Sequence, residues 1–323
     1  MVRGRLIEAV PGVAAGPQRR AIVCSVAIGR STRRWAAIVG LGLGVACGEA
    51  APSAPLPPYA LSLDLSSVAS REGRDRAAWV REVVSSELSR RRWFRDAAEG
   101  PMLPAHLSYD ELRSDEGVPV LRVYLAVDPE DDLRAQLDAI ESTLDAYVEL
   151  ERRDQTVDLQ RDLPVAVERC LALLEAKITV AVGTADEVGA RLEDDDVEIV
   201  LIALDAVERR GLRELDDAVY ALLGHADERV AMQAVECLGV VGGPQHAPGL
   251  LRSARLADRA HAQRLYEALA NLGGQHARGF LQFAARNEED PELATWAEHA
   301  LARVEARQPA PTLSPAVTRG HRQ

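Results

Sequence analysis

Apolar positions recur with a helical period through the second half of the chain, and there one pattern is written four times. Residues 196–211, 227–242, 258–273 and 290–305 align on Asp196, Asp227, Asp258 and Asp290, at offsets of 31, 31 and 32 residues. Small residues then coincide at Ala203, Ala234 and Ala297, with Leu265 in the remaining unit, and again at Ala206, Cys237, Ala268 and Ala300. Large apolar residues coincide at Val207, Leu238, Leu269 and Leu301. Self-similarity at this period predicts stacked helix pairs, since one pair cannot bury its apolar face alone. The aspartates are placed to accept hydrogen bonds from the first free N–H groups of each long helix. Alanines let neighbouring helices approach, and Gly211, Gly242 and Gly273 are expected to close the helices in a left-handed conformation. Shorter partner helices are expected at 213–223, 244–254 and 275–286.

The first half reads differently. Residues 59–65 alternate, with Tyr59, Leu61, Leu63 and Leu65 on one face, as in a half-buried strand. A helix follows over 75–94, using Ala78, Trp79, Val83, Leu88 and Phe94. The pattern breaks at 100–104. Two strands, 106–112 and 118–127, then flank the turn residues 114–117. Residues 128–137 read as an acidic helix start with Pro129 at its first position. Residues 144–151 alternate as a further strand, with continued helix from Asp131 as the alternative. A long helix over 163–182, with Pro164 in its first turn, is expected to pack against both the sheet and the first repeat. A short one over 185–192 follows. The fold class is therefore mixed: a small α+β module over 59–160, then an all-α helical array over 161–307. Residues 308–323 carry no periodicity and are expected to be a disordered tail.

The repeats resemble the bacterial HEAT-like repeat family, whose units read D-x-x-V-x-x-x-A-x-x-A-L-x-x-L-G. The match rests on Asp227, Val230, Ala234, Cys237, Leu238, Val241 and Gly242, and on Asp258, Leu265, Ala268, Leu269, Leu272 and Gly273. His261 departs from it by standing at the apolar fourth position. The resemblance implies a HEAT-like solenoid whose long helices line a concave, protein-binding surface. On that surface it places Glu198, Arg229, Gln233, Glu236, Arg264, Glu267, Trp296 and His299. An exposed tryptophan on a binding face is a common energetic centre, so Trp296 is the most pointed of these.

Near the N-terminus, after a long preamble over 1–29, a basic run (Arg30, Arg33, Arg34) precedes an uncharged stretch, 35–46. That is the build of an export signal, and it is too short for a stable membrane-spanning helix. It ends at Cys47, preceded by Gly44, Val45 and Ala46, and resembles the lipobox of bacterial lipoproteins; Ala46 fits, while Gly44 stands where that family usually has leucine. The resemblance implies lipidation of Cys47, and Gly48 after it implies the outer membrane, facing the periplasm. A plain secretory signal, or a cytosolic protein with an apolar N-terminus, are the alternatives. Residues 48–58 form an Ala/Pro/Ser linker.

Charge narrows the partners. The net charge is −12, yet residues 1–46 hold seven arginines against Glu8. The remainder carries 31 basic and 49 acidic side chains, a net of −18. Such a body argues against a general nucleic-acid or anionic-membrane binder. Membrane contact is expected through the lipid anchor alone.

No nucleophile–base pair, cofactor motif or metal-ligand spacing stands out. The acidic clusters around 110–116 and 130–132 lack the calcium-loop spacing and read as turn and cap chemistry. Cys170 and Cys237 fall on apolar helix positions and read as small buried thiols. His246 and His276 recur as Gln-His-Ala thirty residues apart, as a duplicated surface residue or a ligand ridge. Arg90, Arg91 and Arg92 read as a solvated helix end. The sum is a non-catalytic scaffold that holds a protein partner in the cell envelope, with no cofactor and no metal. An enzyme using the array as a substrate cradle, or a cytosolic regulatory adaptor, are the other readings. Mass spectrometry of the mature chain is expected to find Cys47 first and acylated; a chain that still begins at unmodified Met1 overturns the anchor.

Overall fold

The computed structural model describes residues 58–95, 101–152, 156–253 and 258–307. The export segment with Cys47, nearly all of the linker and the tail 308–323 lie outside the described residues. The elements run β1 (Tyr59–Asp64), α1 (Ser66–Glu72), α2 (Arg74–Leu88), β2 (Phe94–Arg95), β3 (Met102–Arg113), β4 (Pro119–Val127), α3 (Asp131–Ala139), β5 (Asp145–Glu151), α4 (Leu159–Val182), α5 (Ala185–Leu192), α6 (Val197–Arg210), α7 (Asp216–Ala221), α8 (Glu228–Val241), α9 (Ala247–Ser253), α10 (Arg259–Leu272), α11 (Gly274–Asn287) and α12 (Pro291–Arg307). The chain is thus mostly helical with one small sheet.

The sheet has the order β2-β1-β3-β4-β5. Strand β1 is parallel to both β2 and β3, whereas β3, β4 and β5 form an antiparallel meander. The turn at 114–117 closes as its residues dictate: Ser114 N–H donates to Val118 O at 2.8 Å and Gly117 takes φ 80°. Alternation sorts the faces. Leu107, Tyr109, Leu121, Val123, Leu125 and Val148 are sealed inside. On the other face Arg122 meets Glu149, beside the exposed Tyr124 and Tyr147, as expected of an antiparallel sheet with one wet side.

Several local expectations are corrected. Phe94 lies in β2 rather than on the preceding helix α2, which stops at Leu88, and residues 66–74, expected as a turn into that helix, hold the separate short helix α1. Strand β3 begins at Met102 and runs through Pro104, which pairs with Ser62. The long helix α4 starts four residues early, at Leu159, because Asp158 accepts from Gln160 N–H at 3.0 Å. Pro164 therefore sits beyond the first turn. Asp162, completely buried, anchors this helix start: it accepts from Arg161 at 2.7 Å, from Arg152 at 2.9 Å and from Asp158 N–H at 2.9 Å. The Arg161 hydrogen bond, aided by Arg152, holds its carboxyl well below the usual carboxylate range despite burial.

Helix α4 packs against β4 and β5 on one side and against α2, α3, α5 and α6 elsewhere. The arginine run is where this contact is fixed. Arg90, beside Glu87, and Arg92 stay largely in solvent, whereas Arg91 is mostly covered. Arg91 donates to Glu168 O at 2.9 Å, and Arg92 to Glu187 at 2.7 Å. Between them Glu175, buried in α4, accepts from the backbone N–H groups of Arg92 (2.5 Å) and Trp93 (3.0 Å). The Trp93 indole N–H donates to Thr179 Oγ1 at 3.0 Å.

The four expected long helices form at their expected starts. Asp196, Asp227, Asp258 and Asp290 each accept from N–H groups of the first turn. Helices α6, α8, α10 and α12 pack side by side in sequence, each against the next. Their partners are less regular than expected: α7 is flanked by single 3-10 turns, α9 is short, and only α11 is a full helix. The closing glycines also differ. Gly211 is left-handed at φ 65°, ψ 40°, whereas Gly242 is extended and Gly273 takes φ 67° with ψ −156°. Where α8 meets α10, a Cβ on Gly239 would lie 2.9 Å from Ala268 Cα, so no larger residue fits. One hydrophobic cluster runs without interruption from Tyr59 to Val304. Among the described residues no helix is long and apolar enough to cross a membrane.

Glu175→Ala strands two buried backbone donors. It is expected to cost about 2–3 kcal/mol in urea unfolding, with Glu175→Gln costing less; an unchanged midpoint for Glu175→Ala contradicts the role given to this carboxylate.

Candidate functional site

The residues singled out as a partner-binding face all lie on the row of long helices. Arg229 follows the N-cap of α8 and reaches back one repeat to Glu198 at 2.7 Å while also gripping Asp227 at 3.1 Å. Glu236 in α8 receives Arg264 from α10 at 2.7 Å. Arg259 reaches Asp290 at 3.5 Å and also pairs with Glu292, both belonging to the last unit. A salt bridge at 2.7 Å joins Arg169 of α4 to Asp196, continuing the series onto the sheet side. Ion pairs thus cross each helix-to-helix seam. Exposed pairs of this kind add little stability individually, yet they fix which side chains stand where on the surface.

The face is less open than the sequence implied. Arg229, Glu267, Trp296 and His299 are exposed, while Glu198, Gln233, Glu236 and Arg264 are half-buried between neighbouring helices. Their ion pairs explain this for Glu198, Glu236 and Arg264: each is drawn across a seam toward its partner. Trp296 and His299, three residues apart on α12, share one side of the terminal helix, with Trp296 39% exposed.

Carboxylates outnumber cations along this row. Burial raises the pKa of Glu208 above its ordinary value, helped by the nearby charges of Glu236 and Asp205. Burial also raises Glu236, with Glu267 adding repulsion against the relief from Arg264. At its sheet end the row meets a cleft of about 460 Å³. It is walled by β5 (Tyr147, Glu149), by Arg169 and Lys177 of α4, and by Glu198 and Ile202 of α6. Nothing local in the sequence signals this cleft, because its walls are assembled from segments some fifty residues apart.

The histidine pair does not form a ridge. His246 is buried and His276 exposed. Asp216, Asp217 and His246 bring one ligand atom each within 4.8 Å of one another. The hydrogen bonds assign this trio a structural task. Gly243 N–H donates to His246 Nδ1 at 3.2 Å, so the ring proton sits on Nε2, 3.4 Å from Asp217. No ring lone pair remains for a metal, since a ligating imidazole donates through its other nitrogen. Cys170 and Cys237 are buried and free, and burial pushes the Cys170 thiol up to about 12. Neither is an available nucleophile.

No family model matches this chain, and no curated protein does. One solved structure, the crystal structure of an engineered protein from the Northeast Structural Genomics Consortium, aligns at 14% identity. The alignment covers 55% of this chain and 85% of that one, with a TM-score of 0.32. A likeness that loose carries no argument about fold or function.

The raised pKa of Glu208 means that its proton is held more tightly folded than unfolded, so its charge opposes folding at neutral pH. Glu208→Gln is therefore expected to raise stability at pH 7. The gain should shrink as pH falls to about 4, where the wild-type carboxyl is itself protonated. A gain that persists unchanged at pH 4 would point to packing instead.

Proposed function

We propose that this protein is a non-catalytic scaffold of the bacterial cell envelope, tethered through Cys47, which holds a protein partner against a short HEAT-like array. The row of long helices is the inner, docking side of that array. The observation that carries the reading is the cross-linked ridge from Glu198 through Arg229, Glu236 and Arg264 to Arg259 and Asp290. Its side chains are held in place before any partner arrives, which lowers the entropy that binding must overcome. Trp296 and His299 stand exposed at its end. An excess of carboxylates on the row favours a partner with basic groups, and steering by such a field acts chiefly on the association rate.

The partner is to be captured with the full chain and its affinity compared for two surface variants. Trp296→Ala is expected to weaken binding about 30-fold, the size of an aromatic hot-spot contact. Arg229→Glu is expected to weaken it about tenfold, mostly through dissociation and local disorder of the Glu198–Arg229 link. Both should melt close to wild type. Recovery of the same partner at unchanged affinity by both variants would sink the docking side proposed here.

A further inference from the structure

The fourth position of each long-helix unit faces the interior. Ile199, Val230 and Leu293 occupy it in three units, and all are buried. In the third unit the residue is His261, equally buried at 6% exposure. Its backbone N–H is satisfied by the Asp258 cap at 3.2 Å, but ring atom Nδ1 has no hydrogen-bonding partner. Leaving a buried ring nitrogen unpaired opposes folding, and an aliphatic residue at this position would avoid the penalty. A buried polar group that breaks an otherwise apolar pattern marks a place where stability has been given up.

His261 lines a cleft of about 250 Å³ between the N-terminal ends of α8 and α10 and the turn before α8. The other walls are Leu223, Gly224, His225, Glu228, Ala231, Val235 and Ser253. Hydrogen bonds fix the polarity of the lining. Ser253 spends its hydroxyl proton on Leu250 O at 3.0 Å, which leaves its oxygen to accept. His225 Nδ1 accepts from Asp227 N–H at 3.0 Å, so its proton is on Nε2 and the ring cannot ligate a metal there. Glu228 adds a carboxylate. Acceptors therefore prevail in the cleft: the Glu228 carboxylate, Ser253 Oγ and the open Nδ1 of His261. Leu223, Ala231 and Val235 supply an apolar wall for an alkyl stem. A metal ion would find too few ligands, and an anion would meet Glu228 within a body of net charge −18.

We propose that this cleft binds a protonated nitrogen on an alkyl stem, an ammonium or guanidinium group, with His261 Nδ1 as one acceptor. The site lies between helix ends rather than on the ridge of Arg229 and Trp296, so it stands independently of the docking side.

The test uses the full chain and the long-range proton–nitrogen NMR spectrum of its imidazoles. Titration with n-butylammonium and n-butylguanidinium is expected to move the His261 Nδ1 resonance to saturation, whereas butyrate leaves it in place. His261→Leu restores the repeat pattern; it should abolish specific binding and raise Tm by at least about 2 °C. Glu228→Gln should weaken cation binding about tenfold with the fold intact, and it keeps the test open if the leucine variant does not fold. The proposal is overturned if neither cation moves His261, if butyrate moves it as far, or if a folded His261→Leu melts below wild type.

Discussion

Helix α4 has to satisfy a sheet and a helical row at the same time, and nearly every other element takes its position from how it does so. Around its circumference, Cys170 sits at 3.9 Å from the Val123 carbonyl of β4, and Lys177 donates to the Asp145 carbonyl of β5 at 2.6 Å. Glu175 and Thr179 hold the chain entering β2, and Arg169 holds the cap of α6. Such a helix needs apolar residues on most of its surface and polar ones only where a specific partner waits. Burying a carboxylate such as Glu175 is tolerable because two backbone donors and a guanidinium surround it. The result is that the sheet and the helical row share one core instead of meeting across a polar seam.

What could be read from the sequence follows the range of the forces involved. The aspartate caps, the alternating strands, the hairpin at 114–117 and the starts of α6, α8, α10 and α12 are set by neighbours within a few residues, and all were legible. Strand β2 was not, because a two-residue strand has no period and exists only through its pairing with Tyr59 and Ala60. The roles of Arg91 and Arg92 were hidden for the same reason: their acceptors lie more than seventy residues away. Glycine type was legible but its purpose was not. Gly211 ends its helix in the left-handed region, whereas at Gly242 a Cβ would press on the Leu238 carbonyl at 2.5 Å. His261 was visible as a departure from the repeat, yet only the packing around it reveals the unpaired nitrogen.

The surface of the helical row shows how weak interactions can matter without adding stability. A pair such as Glu236–Arg264 is worth little against unfolding, since both ends can be solvated in the open chain. It restricts side-chain freedom all the same, and it draws half-buried groups across a helix seam. Where cations run short, as around Glu208, the same crowding leaves carboxylates that hold their protons more tightly than usual. A face of this kind is ordered in its details while remaining frustrated in its charge.

Strand β1 has a mechanical consequence. It is hydrogen-bonded on both edges, to β2 and to β3, and both neighbours run parallel to it. Tension entering along the strand at Tyr59 must shear two ladders together rather than peel one bond at a time. A body held by its leading end would then resist extraction at its first strand, before the load reached the helices.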